Sequence, residues 1–120
     1  MKKSRSSNPA LIGLIQELTK KTYEEKASIW RDVASRLTRP ASNRAQVNIS
    51  GLSRCTKENE VVVVPGKVLG SGILDHPITV GAFDFSAQAA EKIKAAGGEC
   101  MPIRELMTRF PKGSNIKLVE

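Results

Sequence analysis

Cysteine and histidine are scarce in this sequence of 120 residues, which contains two cysteines, Cys55 and Cys100, and one histidine, His76. A structural zinc site normally needs about four Cys or His ligands, so three widely separated candidates argue against a zinc centre. Two unclustered cysteines in a basic chain are more typical of small, reduced hydrophobic residues than of a disulfide. We therefore expect neither a metal nor a cofactor.

Aromatic residues are also few, at 4% of the chain. RRM and OB-fold domains bind single-stranded RNA by stacking bases on exposed aromatic rings. Hydrophobic periodicity assigns most of the aromatic side chains of this chain to the core. For a nucleic-acid partner, this favours recognition of backbone and shape over recognition of base sequence. The aromatic residues are Tyr23, Trp30, Phe83, Phe85 and Phe110.

Long apolar runs are absent. The apolar run at residues 10 to 15 is broken by Gly13 and followed by Gln16 and Glu17, so it is too short and too polar for a signal sequence. No stretch approaches the roughly 20 apolar residues of a membrane helix. These absences predict a soluble cytosolic chain, and the length predicts one domain with one core.

Positive charge is concentrated in the first part of the chain. Residues 1 to 54 contain eleven lysines and arginines against four acidic residues, whereas residues 55 to 120 contain eight of each sign. The net charge of +7 therefore belongs to the first part alone. Such asymmetry is typical of proteins that bind a polyanion, most often nucleic acid. Solubilising surface lysine is the alternative interpretation.

Two helices are predicted at the start of the chain. Asn8 is suited to cap a helix over about residues 9 to 21, in which apolar residues repeat at helical spacing. Thr22 and Glu25 form a capping-box pattern that predicts the start of a second helix. We expect the two helices to pack as a hairpin with Trp30 near its centre.

The segment TRPASNRAQ, residues 38 to 46, predicts an exposed basic loop. From residue 47 onward, short β-branched runs alternate with helical patterns, which indicates a small α/β core. We therefore predict a mixed α/β (α+β) fold in one domain, with the basic arm, helical hairpin and loop in residues 1 to 46 and the core in residues 47 to 120. The predicted core elements are strands at 47–49, 60–64, 78–83, 99–101 and 115–119 and helices at 86–96 and 103–110.

The stretch VVVVPGKVLGSGILDHP, residues 61 to 77, predicts a buried strand that runs into a glycine-rich loop. It does not match a Walker A loop, because Gly66 and Lys67 come before the other glycines, nor a Rossmann fingerprint, because Asp75 stands where the third glycine belongs. The loop can still approach a sugar-phosphate chain closely, with Lys67 supplying a charge and Ser71 a hydroxyl. The alternative is a tight turn between two core strands.

The sequence contains no recognisable catalytic constellation. Asp75 and His76 are adjacent, so their side chains are expected to diverge in an extended chain, and neither Ser71 nor Ser86 has an evident base partner. His76 before Pro77 is more typical of a turn, or of a donor that faces phosphate, than of a general base. We predict no enzymatic activity.

Five segments carry a resemblance to a known family, in the order NPALIGLIQEL, IWRDVASRLTRPASNRAQVNIS, VVVVPGKVLGSG, ITVGAFDFS and AAEKIKAAGGE. Together they resemble the archaeal and eukaryotic large-subunit ribosomal protein family eighteen-e, which is related to the bacterial large-subunit family fifteen. The resemblance extends from about Asn8 to Lys112, and the compact length is similar to that of archaeal members. Two positions depart from the family pattern: Ser28, where proline is expected, and Cys55, where a polar or basic residue is expected.

The resemblance implies a structural component of the large ribosomal subunit, in which a helical hairpin precedes irregular strand and helix units. Its partners would be large-subunit ribosomal RNA and neighbouring ribosomal proteins, with no membrane, no cofactor and no small-molecule substrate. Charge and expected exposure select the candidate RNA contacts. The predicted rRNA-binding residues are Lys2, Lys3, Arg5, Arg39, Arg44, Asn48, Ser50, Arg54, Gly66, Lys67, Gly70, Ser71, Gly72 and His76.

Two other classes of protein are alternatives. A small nucleotide- or phosphate-ligand-binding protein would use the loop from Gly66 to Gly72 as its cradle and would bind a free nucleotide saturably. A duplex DNA-binding chromatin protein would share the basic charge. It would need a recognition helix with clustered basic and amide side chains, whereas the second predicted helix carries acids among its bases.

Overall fold

The computed structural model describes residues 8 to 120. In this part of the chain a pair of helices is followed by strands and helices that largely alternate, with a short 3₁₀ turn at Ala41–Asn43 between the two regions. The elements are α1 (Pro9–Glu25), α2 (Ser28–Leu37), β1 (Ala45–Asn48), α3 (Ile49–Cys55), β2 (Val61–Leu69), β3 (Thr79–Phe85), α4 (Ala87–Ala95), β4 (Glu99–Pro102), α5 (Ile103–Arg109) and β5 (Ile116–Leu118).

All strand pairs of the sheet are parallel, and β2 lies at its centre. β3 pairs along one edge of β2, while the other edge is shared by β5, which pairs with residues 61 to 63, and by β1, which pairs with residues 66 to 69. β4 pairs with the outer edge of β3. The sheet and the preceding helical pair confirm the predicted mixed α/β class with an N-terminal helical hairpin.

Helices cover both faces of this sheet. Val63 packs into a core with α1, α2 and α5, whereas Val62 and Val64 pack into a second core with α3 and α4. Successive strand residues point to opposite faces, so a strand covered on both sides must be apolar throughout, which explains the run of valines. The connections through α3 and α4 run along one face of the sheet, and the connection from β4 back to β5 runs through α5 on the other face. This is the arrangement that right-handed crossovers require when the chain reverses its direction across the sheet.

The first helix starts as predicted but ends later. The Asn8 side chain accepts a hydrogen bond from the Ala10 amide at 3.0 Å, which confirms the predicted cap. The predicted start of a new helix at Thr22 is wrong, because Thr22 lies inside α1 and its hydroxyl donates to the Leu18 carbonyl at 2.9 Å. A threonine hydroxyl can bond a carbonyl one turn back as well as cap a helix. α1 ends at Glu25, and the next residue, Lys26, adopts a φ of 52°.

Trp30 attaches the helical pair to the C-terminal part of the chain. The side chain is fully buried, and its indole nitrogen donates to the Pro111 carbonyl at 2.7 Å. Gly113 in the same loop fits closely against Ile29, because a Cβ at Gly113 would stand 2.4 Å from the Ile29 Cγ2 atom. The hairpin therefore packs on the sheet instead of standing apart from it.

The segment around Ile49 differs from the prediction. The strand predicted at 47–49 is β1, which ends at Asn48, and Ile49 opens α3, a helix that the sequence analysis missed. Ile49 and Leu52 are three residues apart and both are buried. This helical spacing was the available signal, and Gly51 between them, a poor helix former, obscured it.

β2 is longer than predicted. The strand expected to end at Val64 extends to Leu69, so Gly66 and Lys67 lie in a strand and not in a loop. Pro65 is tolerated because a bulge occurs between Val64 and Lys67, where two residues of β2 oppose one of β3. The Pro-Gly pair, a turn signal in the sequence, here marks a bulge within a continuing strand.

The later elements agree with the prediction to within a few residues. The helix predicted at 86–96 is α4, and the Ser86 side chain caps it by accepting from the Ala89 amide at 3.1 Å. The remaining predicted strands and helix are present as β3, β4, α5 and β5. Clear caps and β-branched runs therefore predicted the second half of the chain well.

Gly66 lets β1 lie directly against β2, because a Cβ at this position would stand 2.0 Å from the Ala45 carbonyl oxygen. We predict that Gly66→Ala lowers the free energy of unfolding by about 1–3 kcal/mol through this overpacking. Gly13→Ala is the matched control, since nothing lies within 4 Å of its Cβ position in α1. The control should stabilise the protein by about 0.5–1 kcal/mol. Urea unfolding measures both, and equal midpoints would contradict the close contact.

Candidate nucleic-acid interface

Most of the predicted RNA-binding residues that the structure describes gather in two clusters, one at each end of β1. Arg44, directly before β1, shares a cleft with Lys67 of β2, which we call the Arg44–Lys67 cleft. Asn48, the last residue of β1, leads into α3, which lies beside the loop of residues 70 to 77. We call α3 and this loop the α3–glycine unit.

The Arg44–Lys67 cleft has a volume of about 170 Å³ and opens between the start of β1, the bulge of β2 and the end of β3. The Arg44 guanidinium carbon lies 5.5 Å from the centre of the Phe83 ring, a cation–π contact. The Lys67 Nζ atom is 3.8 Å from the Asp84 Oδ2 atom, and 45% of the Lys67 side chain is exposed. Exposed pairs of this kind contribute about 0–1 kcal/mol, so Lys67 can turn to another anion at little cost.

Arg44 contains a hydrogen-bond donor that lacks an acceptor. Its Nε atom is the one buried side-chain nitrogen or oxygen within residues 8 to 120 that has no partner. Leaving a buried donor unsatisfied costs about 1–3 kcal/mol, and such a group in a native fold calls for an explanation. An anionic ligand in the cleft would not reach this buried atom, but it would bring acceptor oxygens to the outer nitrogens of the same guanidinium.

Main-chain and lysine hydrogen bonds hold the α3–glycine unit together. The Ser50 amide donates to the Ser71 carbonyl at 3.0 Å. The Lys92 ammonium group, on α4, donates to the carbonyl oxygens of both Gly70 and Gly72, each at 2.6 Å. The loop is thus held between two helices by a half-buried charge-assisted contact.

The loop glycines are required by contacts within this chain. A Cβ at Gly70 would stand 2.6 Å from the Cβ of Gln88, and a Cβ at Gly72 would stand 2.5 Å from the Cβ of Ser50. Gly72 also has a φ of +110°, which other residues rarely adopt. These glycines therefore allow the loop backbone to approach α3 and α4 closely. Contact of each with RNA stays a prediction.

His76 joins the loop to the far end of α3. Its Nε2 atom lies 2.8 Å from the Thr56 hydroxyl, and its Nδ1 atom lies 2.8 Å from the Asp75 Oδ1 atom. The expectation that the Asp75 and His76 side chains diverge is therefore wrong, because the chain bends at His76 and is not extended there. The hydrogen bond with His76 lowers the pKa of Asp75 below its ordinary value. A contact between His76 and phosphate stays a prediction.

Of the other predicted residues, Arg39 lies apart from the two clusters, Arg54 lies on α3 within the α3–glycine unit, and three lie outside the described residues. Arg39 donates to the Glu120 Oε2 atom at 3.1 Å, beside the 2.9 Å bond from Arg36 to Oε1. Arg36 first, and then Arg39, lower the pKa of Glu120. Arg54, near the end of α3, is exposed and has no ion pair within residues 8 to 120. Three predicted contacts lie outside the described residues: Lys2, Lys3 and Arg5.

Lys92 has a role in this region that no sequence pattern indicated. The only available signal was position: Lys92 lies between the buried residues Ala89 and Ile93, whereas Lys94 is exposed. Phe83 and Asp84 were also not singled out for the interface, because only the pairing of β2 with β3 brings them to Lys67.

Comparison with known proteins identifies one family for this chain. A family model described as ribosomal protein 60S L18 and 50S L18e matches residues 1 to 120. The chain belongs to this ribosomal protein family. Its similarity to individual L18e proteins also extends over nearly all of both sequences.

Three archaeal relatives carry the name large ribosomal subunit protein eL18. The protein of Methanothermobacter thermautotrophicus is 51% identical over 120 residues, covering 100% of this chain and 99% of the relative. The protein of Archaeoglobus fulgidus is 48% identical over 115 residues, covering 96% and 98%. That of Methanococcus maripaludis is 44% identical over 119 residues, covering 99% of each.

Membership of the L18/L18e family confirms the resemblance found in the sequence. The relatives are ribosomal proteins and not enzymes, which agrees with the prediction that this chain has no enzymatic activity. Within residues 8 to 120, no helix has the length and apolar character needed to cross a membrane.

Lys92 is expected to keep the glycine loop in place. We predict that Lys92→Met, which leaves the Gly70 and Gly72 carbonyls without their charged donor, speeds amide hydrogen exchange at Ser50 by roughly tenfold or more, given about 1.5–3 kcal/mol for hydrogen bonds to charged groups. Lys94→Met is the control on the same helix, because Lys94 is exposed. Equal exchange at Ser50 in the two variants would mean that Lys92 does not hold the loop.

Proposed function

We propose that this L18/L18e-family chain is a structural constituent of the large ribosomal subunit in the cytoplasm, and that it binds folded ribosomal RNA mainly through phosphate and shape contacts. The match of the whole chain to the family supports the place in the ribosome. The neighbouring ribosomal proteins of the subunit would be its other partners. The positions of the positively charged side chains support the proposal that the chain binds RNA.

The fold leaves much of the positive charge of the first half uncompensated. Lys26, Arg31 and Arg54 are exposed, and none of them has an ion pair within residues 8 to 120. In the second half, by contrast, Arg109 pairs with Glu99 at 2.7 Å. Cations without an internal partner can neutralise phosphates, and the release of counterions from RNA then favours binding.

The Arg44–Lys67 cleft adds two further cations at one place on the surface. These residues are far apart in sequence, but the pairing of Ala45 with Gly66 brings them together. Lys67 is only loosely bound by Asp84, and Arg44 has an unsatisfied donor. The cleft therefore suits a phosphate group better than an isolated lysine on a solvated helix would.

The two alternative functions are less well supported. The carbonyl oxygens of Gly70 and Gly72 bond Lys92, and α3 and α4 occupy the space beside these glycines, so the loop has little room for a nucleotide. The DNA-binding alternative needs an exposed basic recognition helix. The exposed face of α2 instead carries Asp32 next to Arg31.

Sedimentation of cell lysate tests the place in the ribosome. A tagged copy should migrate with the large subunit on a sucrose gradient and stay there through a wash at moderately high salt. A peak of free protein, with a tag shown to be harmless on a known ribosomal protein, would overturn the proposal. Saturable binding of a free nucleotide to that fraction, with the Gly70 and Gly72 amides as the groups that respond, would then support the nucleotide-binding alternative.

The salt dependence of RNA binding tests the phosphate contacts. With about 6–10 contacts, affinity for large-subunit rRNA should fall by roughly three to five orders of magnitude between 50 and 200 mM salt. The double variant Arg44→Gln with Lys67→Gln should reduce the slope of log affinity against log salt by about two. A double variant of Lys94→Gln with Lys112→Gln removes the same charge elsewhere and should change the slope less. Equal slopes in the two double variants would remove the cleft from the interface.

A further inference from the structure

Two neighbouring depressions share the end of β3. Phe83 and Asp84 line the Arg44–Lys67 cleft of about 170 Å³. The same two residues line a second depression of about 290 Å³ that continues along β3 to the end of β4. A ligand that extends across Phe83 and Asp84 would therefore occupy both.

The two depressions differ in chemistry. The first contains the cations Arg44 and Lys67. The second is lined mainly by apolar groups, which include Phe85, Met101 and Pro102. A charged group is favoured in the first and a flat apolar ring in the second, as in proteins that stack an unpaired base on an aromatic or guanidinium plane and hold its phosphate with a cation.

We propose that these two depressions together hold one unstacked nucleotide of RNA, with its phosphate in the Arg44–Lys67 cleft, its base against Phe85 in the second depression, and the amino group of the base bound by Asp84. This inference rests on the proposed function, which it makes more specific. The site takes adenine, cytosine or guanine. It disfavours uracil, which has no exocyclic amine and whose N3–H group lies between two carbonyl oxygens that a carboxylate repels.

The evidence that the site binds a base comes from Asp84. Its Oδ1 atom accepts from the Phe85 amide at 2.9 Å, which fixes the carboxylate, while its Oδ2 atom has only the loose 3.8 Å contact with Lys67. The side chain is 63% exposed, so this oxygen is open to a ligand. A carboxylate repels a phosphate, and a site for phosphate alone would gain nothing from it. The same oxygen accepts well from an amino group.

The evidence that a phosphate binds beside that base comes from Arg44 and Lys67. When the amino group of the base takes the Asp84 oxygen, Lys67 loses its weak partner and is free to bind the phosphate. The Arg44 guanidinium already lies over Phe83, so its outer nitrogens border the same cleft. Its Nε atom is buried and is not reached from the cleft, so the outer nitrogens are the donors that a phosphate would meet.

The test is an NMR titration of the full chain with the four ribonucleoside 5′-monophosphates and with inorganic phosphate. The signals to follow are the Arg44 Nε–H group and the Gly66 amide. AMP, CMP and GMP should shift both signals with affinities about tenfold higher than that of UMP, the scale of one hydrogen bond to a charged group. Inorganic phosphate should bind more weakly than any of the three amine-bearing nucleotides.

Asp84→Asn should remove the difference between the amine-bearing nucleotides and UMP, because an amide can donate to uracil as well as accept. Glu91→Gln, on the exposed part of α4, removes the same charge elsewhere and should keep the difference. Equal responses to all four nucleotides in the native chain, or a response to phosphate as strong as to AMP, would overturn the inference.

Binding of large-subunit rRNA, measured in the same buffer, separates this inference from the proposed function. If rRNA still binds with a steep salt dependence while the four nucleotides behave alike, only the nucleotide site is wrong. If rRNA does not bind at all, the proposed function fails, and this inference fails with it.

Discussion

The contact between β1 and β2 at Gly66 is the constraint on which the rest of the structure depends. On one edge β2 changes its neighbour from β5 to β1 midway along its length, and Pro65 and Gly66 stand at this change. Proline needs no partner for a missing N–H, and glycine leaves room for the Ala45 carbonyl. A side chain at Gly66 would push β1 outward and displace both clusters, because Arg44 and Asn48 flank that strand.

The glycine loop depends on the same placement of β1, since Asn48 passes directly into α3. Lys92 turns the Gly70 and Gly72 carbonyls inward, which has an electrostatic consequence for an RNA partner. Carbonyl oxygens carry partial negative charge and repel phosphate when they face it. With these oxygens bound to an ammonium group, the exposed Ser71 hydroxyl on the outer side of the loop would meet an RNA partner without that repulsion.

Local signals in the sequence predicted most of the elements, whereas contacts between distant residues had to come from the structure. Asn8 caps its helix as expected, and Ser86 caps the helix predicted at 86–96, because both hydrogen bonds lie within three residues. The prediction at Thr22 failed because a threonine hydroxyl can either accept from an amide as a helix cap or donate to a carbonyl one turn back, and the sequence does not distinguish the two. The candidate RNA contacts were chosen by charge and glycine content, but that Arg44 and Lys67 share one cleft follows only from strand register, which the sequence does not contain.

The sequence also favoured recognition of shape over bases, because its few aromatic residues were assigned to the core. Phe83 shows that the two roles need not exclude each other, since it packs against the core and also lines the Arg44–Lys67 cleft. Phosphate contacts orient a protein on RNA and supply most of its affinity, but any phosphate satisfies them. A single half-buried ring beside the Asp84 carboxylate would add a preference among bases, which phosphate contacts lack. It would favour one position of the RNA along the protein over positions shifted by one nucleotide.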